Sequence, residues 1–122
     1  MFLPPYMQLR FNPDLDKDRP WRTIGVHFYE HDQLKLRVSI PSDFPTDLAS
    51  IPRFLHYLFD PKGRHQRACL FHDWLYTSKE CSRLMADVVL AVIMKSDGVW
   101  LWRRALIYLG VRLFGWMVWR KK

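Results

Sequence analysis

The stretch Gln66–Met94, QRACLFHDWLYTSKECSRLMADVVLAVIM, decides the fold of this chain. Apolar residues recur in it at three- and four-residue steps on both sides of a short polar break, which predicts two antiparallel helices joined by a tight turn. Thr77 and Glu80 have the spacing of a capping box, so we expect the second helix to begin there. The apolar stripe expected on that helix consists of Leu84, Val88 and Ala91, widened by Met85, Val89, Val92 and Ile93.

Several polar side chains interrupt this apolar frame, and three of them are expected to face one another across the hairpin. His72 lies a little over one turn before the bend, whereas Arg83 and Asp87 lie one turn apart on the returning helix. A carboxylate that holds a histidine ring in one tautomer is what a general base requires. The alternative is an ordinary ion pair between Arg83 and Asp87, with His72 hydrogen-bonded in the core.

The sequence His72-Asp73-x-x-Tyr76 resembles the H-D-x-x-Y helix signature of secreted phospholipases of the A-two class. The resemblance implies that His72 is the general base for a water that attacks an ester, that Asp73 binds calcium, and that Tyr76 supports the site. The orienting carboxylate would be Asp87, at a shorter spacing than in that family. The candidate catalytic residues are therefore His72, Tyr76, Arg83 and Asp87, with Asp73 as the candidate metal ligand and calcium as the candidate cofactor.

Four motifs follow one another between Pro41 and about Trp119. They are Phe44-x-Thr46-Asp47-x-Ala49-Ser50-x-Pro52, His72-Asp73-x-Leu75-Tyr76, Arg83-x-x-Ala86-Asp87 and Gly98-Val99. Together they resemble a family of short bacteriophage and prophage proteins known only as a domain of unknown function, family 1353. The resemblance implies a phage origin, and it brings no settled activity. We therefore expect the protein in the host cytoplasm or in the phage virion, with a peripheral membrane location as a further alternative.

The composition is that of a folded, basic chain. Of its 122 residues 49% are hydrophobic and 16% aromatic, which argues against disorder, and the formal net charge is +7. The length predicts a single domain over residues 1–122, with a sheet part at about 1–40, a loop at 41–52 and a helical part at 53–122. The charge favours an anionic membrane surface or an acidic face of a phage or host protein as partner, since no specific nucleic-acid motif is present.

Alternating apolar residues predict an antiparallel β-meander in the N-terminal part. The expected strands are Tyr6–Phe11, Arg22–Glu30 and a strand that alternates from Leu34 to Ile40. We expect Ile24, Val26 and Phe28 to lie on the buried side of the second strand. In the third strand we expect Leu34, Leu36, Val38 and Ile40 to lie inward.

The segment Pro41–Pro52, PSDFPTDLASIP, is too rich in Pro, Asp and Ser for a regular element. Asp47 and Ser50 have two interpretations. In one they bond loop amides, with Ser50 as the cap of a short helix at Arg53–Asp60. In the other the loop brings them to His72, so we retain both as candidate binding residues.

The segment that follows Gly98 is expected to be a C-terminal helix with two apolar strips. The strip expected to pack on the hairpin consists of Trp102, Leu106, Leu109, Leu113, Trp116 and Met117. The second strip lies beside the arginines and consists of Ile107, Val111, Phe114 and Val118. Apolar residues next to cations suit a membrane surface or a partner protein, so Arg104, Arg112 and Phe114 are candidate binding residues. The alternative is a mostly buried helix with a basic tail.

These patterns predict an α+β fold in which an N-terminal antiparallel β-meander precedes a helical hairpin and a C-terminal amphipathic helix. Two hypotheses for the function follow. The first is a small phage-encoded hydrolase that acts on a phospholipid ester at a membrane surface. The second is a non-catalytic phage structural or host-interaction component whose basic aromatic C-terminal helix binds a partner.

Overall fold

The computed structural model describes residues 9–11, 21–46 and 64–121. It confirms the α+β fold, since antiparallel strands in two small sheets precede three helices. The described residues divide into two compact units, one formed by strands and ending at Thr46, the other helical and beginning at Arg64. The single domain expected from the length stays a prediction.

The strand unit contains two antiparallel sheets. In the first sheet, β2 (Trp21–Thr23) lies between β1 (Leu9–Phe11) and β5 (Pro45–Thr46). In the second, β3 (His27–His31) pairs with β4 (Leu36–Ile40). The prediction that residues 41–52 lack a regular element is therefore wrong at β5, which pairs with β2 through Trp21 opposite Thr46 and Arg22 opposite Pro45.

The strand expected over Arg22–Glu30 is interrupted, and the prediction of its buried side is wrong. Gly25 lies at φ +75°, in the left-handed region that favours glycine, and separates β2 from β3. His27 lies directly opposite Ile40 in the register of β3 and β4, so the two side chains share one face. Both are buried, whereas Phe28 is 71% exposed. Ile24 and Val26 are exposed as well.

The predicted inward face of β4 is correct at Val38 and Ile40, which are both buried. Thr23 ties the end of β2 to the chain that follows β4. Its hydroxyl group donates to the carbonyl oxygen of Pro41 at 2.8 Å and accepts from the amide of Phe44 at 2.8 Å. A buried threonine therefore satisfies loop backbone groups within the strand unit.

The helical unit consists of α1 (Gln66–Ser78), α2 (Arg83–Ser96) and α3 (Leu101–Lys121). The predicted hairpin is confirmed by α1 and α2. Its predicted capping box is wrong, because Ser82 caps α2 and its hydroxyl group accepts from the amide of Met85 at 3.1 Å. Gly98 follows the end of α2 at φ +84°, as a terminating glycine does.

The buried stripe of α2 differs from the expected one. Leu84 is exposed, whereas the stripe consists of Ala86, Asp87, Val89, Leu90, Ile93 and Met94. The reason is that α2 packs against α1 and also against α3, so it buries a wider surface than a helix with one neighbour.

The orientation of α3 is the main correction. The strip expected to pack on the hairpin is exposed, and the residues that are buried instead are Ile107, Gly110, Val111 and Gly115. Glycine allows two helices to approach closely, and a Cβ atom at Gly115 would lie only 2.6 Å from the hydroxyl oxygen of Tyr76. The small side of α3 therefore faces the hairpin, and its larger apolar side chains face outward.

Candidate functional site

The described structure brings four sequence-predicted residues together around one carboxylate. His72 and Tyr76 come from α1, one turn apart on the same face, and Arg83 and Asp87 come from α2 with the same spacing. Arg112 joins them from α3. We call these five residues the Asp87 cluster.

The first carboxylate oxygen of Asp87 accepts two hydrogen bonds from α1. His72 Nε2 lies 2.8 Å from Asp87 Oδ1, and the hydroxyl group of Tyr76 donates to the same oxygen at 2.7 Å. The rings of His72 and Tyr76 lie 4.1 Å apart, centroid to centroid. Because ionised Asp87 only accepts hydrogen bonds, the ring hydrogen of neutral His72 lies on Nε2.

The second oxygen of Asp87 faces two arginines. Arg112 Nη1 donates to Asp87 Oδ2 at 2.8 Å, and Arg83 Nη1 lies 3.7 Å from the same oxygen. Arg83 also donates to two carbonyl oxygens of α3, those of Val111 at 2.9 Å and of Arg112 at 3.2 Å. Arg112 of α3 therefore bonds to α2, and Arg83 of α2 bonds to α3, so both side chains connect the two helices.

The centre of the cluster is sealed from solvent. His72, Tyr76 and Asp87 are each 0% exposed. His72 Nδ1 is buried and has no hydrogen-bond partner among the residues that the structure describes. A buried carboxylate is tolerated when its oxygens are hydrogen-bonded and its charge is compensated, and the cluster provides both.

Opposing effects act on the two acids of the cluster. Burial raises the pKa of Asp87, but hydrogen bonds from His72, Tyr76 and Arg112 outweigh it and hold the pKa below its usual value. Burial also raises the pKa of Tyr76, and the hydrogen bond to negatively charged Asp87 raises it further, against the effect of Arg83. In this arrangement Asp87 is the ionised member and Tyr76 stays protonated.

The C-terminal end of α3 closes over the tyrosine. The ring of Trp119 meets the ring of Tyr76 edge-on, with centroids 5.1 Å apart. The ammonium group of Lys79, the C-cap residue that follows α1, lies 5.2 Å from the centre of the Trp119 ring. These contacts add packing and a cation–π interaction to the hydrogen bonds that hold α3.

The remaining predicted site residues lie elsewhere. Asp47 and Ser50 lie outside the described residues. Asp73 is fully buried. Arg104 donates to the carbonyl oxygen of Val99 at 3.4 Å, and Phe114 is exposed on α3.

The described ranges offer few side-chain donors that lie close enough together to bind a metal ion. No group of three His, Cys, Asp or Glu side chains that could hold a metal ion occurs there. Carbonyl oxygens also bind calcium, so the role of Asp73 as a calcium ligand stays a prediction.

Sequence reasoning missed Arg112 as a member of the cluster and assigned it to a partner-binding surface. One signal was available: α3 contains five cationic residues and no Asp or Glu. A partly buried arginine in such a helix must find its carboxylate on another element, and Asp87 is that carboxylate.

The fold and the site define a small α+β protein in which the three described helices share one buried carboxylate. A family model described as "Protein of unknown function (DUF1353)" matches residues 22–111, and the chain belongs to this family. Searches of curated proteins and of solved structures found no match. The match includes all members of the Asp87 cluster except Arg112. The phage origin and the phospholipase resemblance stay predictions.

Proposed function

We propose that the protein is a non-catalytic binding component in which the Asp87 cluster fixes α3 so that its outer face meets a partner. The observation that carries the proposal is the sealing of the cluster. His72 and Asp87 are 0% exposed, and one donor to the carboxylate, Arg112, belongs to α3 itself. Because the Asp87 cluster lies in the core and its hydrogen bonds join α1, α2 and α3, its role in this proposal is to orient these helices.

The outer face of α3 supplies the binding surface. We define it as Trp102, Leu106, Leu109, Leu113, Trp116 and Met117, whose exposed fractions range from 38% to 56%. The opposite side of the same helix is buried through Ile107 and Val111. A contiguous exposed apolar strip of this kind marks an interaction site in a folded protein. The motif resemblance suggests a phage structural or host-interaction component.

An esterase assay tests the proposal. The wild-type protein should release no product from short-chain chromogenic esters or from phospholipid vesicles, and His72→Ala should give the same baseline. Since His72→Ala also removes a core contact, Asp97→Asn is the matched control. It disrupts a half-buried pair with Arg67, bonded at 2.8 and 2.9 Å, away from the cluster. Turnover that persists in Asp97→Asn and disappears in His72→Ala would contradict the proposal.

One observation favours a second candidate, a phospholipid ester hydrolase. Because Nε2 of His72 is bonded to Asp87, the nitrogen that remains to accept a proton is Nδ1. In this candidate a water attacks the ester carbonyl and gives its proton to Nδ1. The proton then passes to the departing alkoxide, so that a fatty acid and an alcohol leave. The substrate reaches Nδ1 only if the residues covering His72 move.

The second candidate makes its own prediction about calcium. Fatty-acid release should depend on His72, and calcium should stimulate it through Asp73. Asp73→Asn should then abolish the stimulation by calcium while the protein stays folded. Equal release from wild type and His72→Ala would exclude this candidate.

A further inference from the structure

We infer that the partner of the outer face is an anionic membrane surface, on which α3 lies flat. The inference rests on the proposed function, which supplies the exposed face, and it adds the chemistry of the partner. Three observations carry it: the arrangement of the apolar residues, the placement of the cations, and the absence of acidic residues from α3.

The apolar residues form a straight line along the helix. The steps from Trp102 through Leu106, Leu109 and Leu113 to Trp116 alternate between four and three residues, which keeps these side chains on one side. At 1.5 Å per residue the two tryptophans lie about 21 Å apart, with leucines between them. A helix that lies in a membrane interface places such a face into the boundary between headgroups and acyl chains.

Cations accompany the tryptophan at each end of this line. The guanidinium carbon of Arg103 lies 4.7 Å from the ring centre of Trp102, and that of Arg120 lies 5.8 Å from the ring centre of Trp116. Long basic side chains can cover apolar surface while their charged ends reach the phosphate groups. Tryptophan rings are themselves favoured at the level of the headgroups.

The charge of α3 distinguishes a lipid surface from a second copy of the chain. All five ionised side chains of Leu101–Lys121 are positive. Arg112 is paired with Asp87, so a contact between two outer faces would bring the other four together, all of like charge. An anionic phospholipid surface complements these charges, at roughly a fivefold change in binding per cation near the surface. Among the described helices none is long and apolar enough to cross a membrane.

Vesicle co-sedimentation tests the inference. The probe is a vesicle of phosphatidylcholine and phosphatidylglycerol, compared with one of phosphatidylcholine alone. The wild-type protein should bind the anionic vesicle, and binding should weaken as sodium chloride is raised. The double variant Leu109→Ser, Leu113→Ser should bind at least about tenfold more weakly, because it removes apolar surface that enters the interface. Its circular dichroism should remain that of the wild type, since both residues are exposed.

Matched controls separate this face from the rest of the protein. Phe28→Ser removes a 71% exposed apolar side chain from β3 and should leave binding unchanged. Arg120→Gln with Lys121→Gln should weaken binding by roughly 25-fold. Lys35→Gln with Arg37→Gln lowers the net charge equally at the β3–β4 hairpin and should have a much smaller effect.

The results of these experiments test the membrane inference separately from the proposed non-catalytic role. Failure of the folded wild type to bind anionic vesicles at low salt overturns the inference, as does binding that the leucine variant does not weaken. A dimer in solution that the leucine variant dissociates, without vesicle binding, assigns the face to a second copy and overturns it too. These results leave the proposed non-catalytic role intact, whereas turnover that depends on His72 contradicts that role.

Discussion

The hydroxyl group of Tyr76 in α1 lies directly beneath Gly115 in α3, so close that a Cβ atom at Gly115 would lie 2.6 Å from its oxygen. The same hydroxyl group donates a 2.7 Å hydrogen bond to Asp87 in α2. Three helices therefore meet at one oxygen atom. The contact fixes how closely α3 approaches the hairpin and which side of it faces outward.

Gly115→Ala should destabilise the protein by about 1–2 kcal/mol. At an unobstructed helical position the same change would stabilise by up to about 1 kcal/mol, because alanine favours the helix. Here the added methyl group meets Tyr76, which is held by Asp87, and lies 3.2 Å from Arg83 Nη1. Urea unfolding of Gly115→Ala, Tyr76→Phe and the double variant measures the coupling. Strictly additive effects, or stabilisation by Gly115→Ala, would contradict the close contact.

Asp87→Ala should cost about 3–5 kcal/mol of the free energy of unfolding. The substitution leaves His72 and Tyr76 buried without their shared acceptor, and Arg112 loses its 2.8 Å ion pair. Glu30→Ala is the matched control, because that carboxylate pairs with Arg37 at an exposed site and its removal should cost no more than about 0.5 kcal/mol. Similar losses for the two variants, measured by urea unfolding, would rule out a stabilising role for the cluster.

The pH dependence of stability should reveal the ionised state of Asp87. Since the folded protein holds the pKa of Asp87 below its usual value, this group stabilises the fold above the pKa of an unfolded aspartate, about 3.9. That stability is lost as the pH falls through the lower folded pKa. The difference in free energy of unfolding between wild type and Asp87→Asn should be constant above about pH 5 and shrink below about pH 4. A difference that stays constant into strong acid would mean that Asp87 is not ionised in the fold.

Local patterns in the sequence were enough to predict the hairpin and the four residues that it contributes to the cluster, but not Arg112 of α3. Helical spacing fixes which residues share a face over one or two turns, so His72 and Tyr76 had to point together, and so did Arg83 and Asp87. A turn between two amphipathic helices then brings the pairs opposite each other. The catalytic interpretation depended on solvent access, which spacing does not determine, and the structure seals His72.

The orientation of α3 could not be predicted from its periodicity. The helix is apolar on two sides, through Leu109 and Leu113 on one and Ile107 and Val111 on the other, so a helical wheel offers two solutions. Larger side chains favoured the first solution, but the close approach at Gly115 fixed the second. Ahead of β3 the chain is interrupted at Gly25, and His27 pairs with Ile40. The strand therefore buries the side opposite to the one that its alternating pattern predicted.

The measurement that tests the orientation of α3 most directly compares two residues of that helix. Ile107 and Leu109 lie two positions apart and therefore on opposite sides of the helix. Ile107 is 0% exposed, and Leu109 is 53% exposed. Ile107→Ala should lower the free energy of unfolding by about 2–5 kcal/mol, whereas Leu109→Ala should change it by less than about 1 kcal/mol. This result, from urea unfolding of both variants, would establish the outer face on which the proposed binding depends. A larger loss in Leu109→Ala than in Ile107→Ala would place that face against the hairpin and contradict the account.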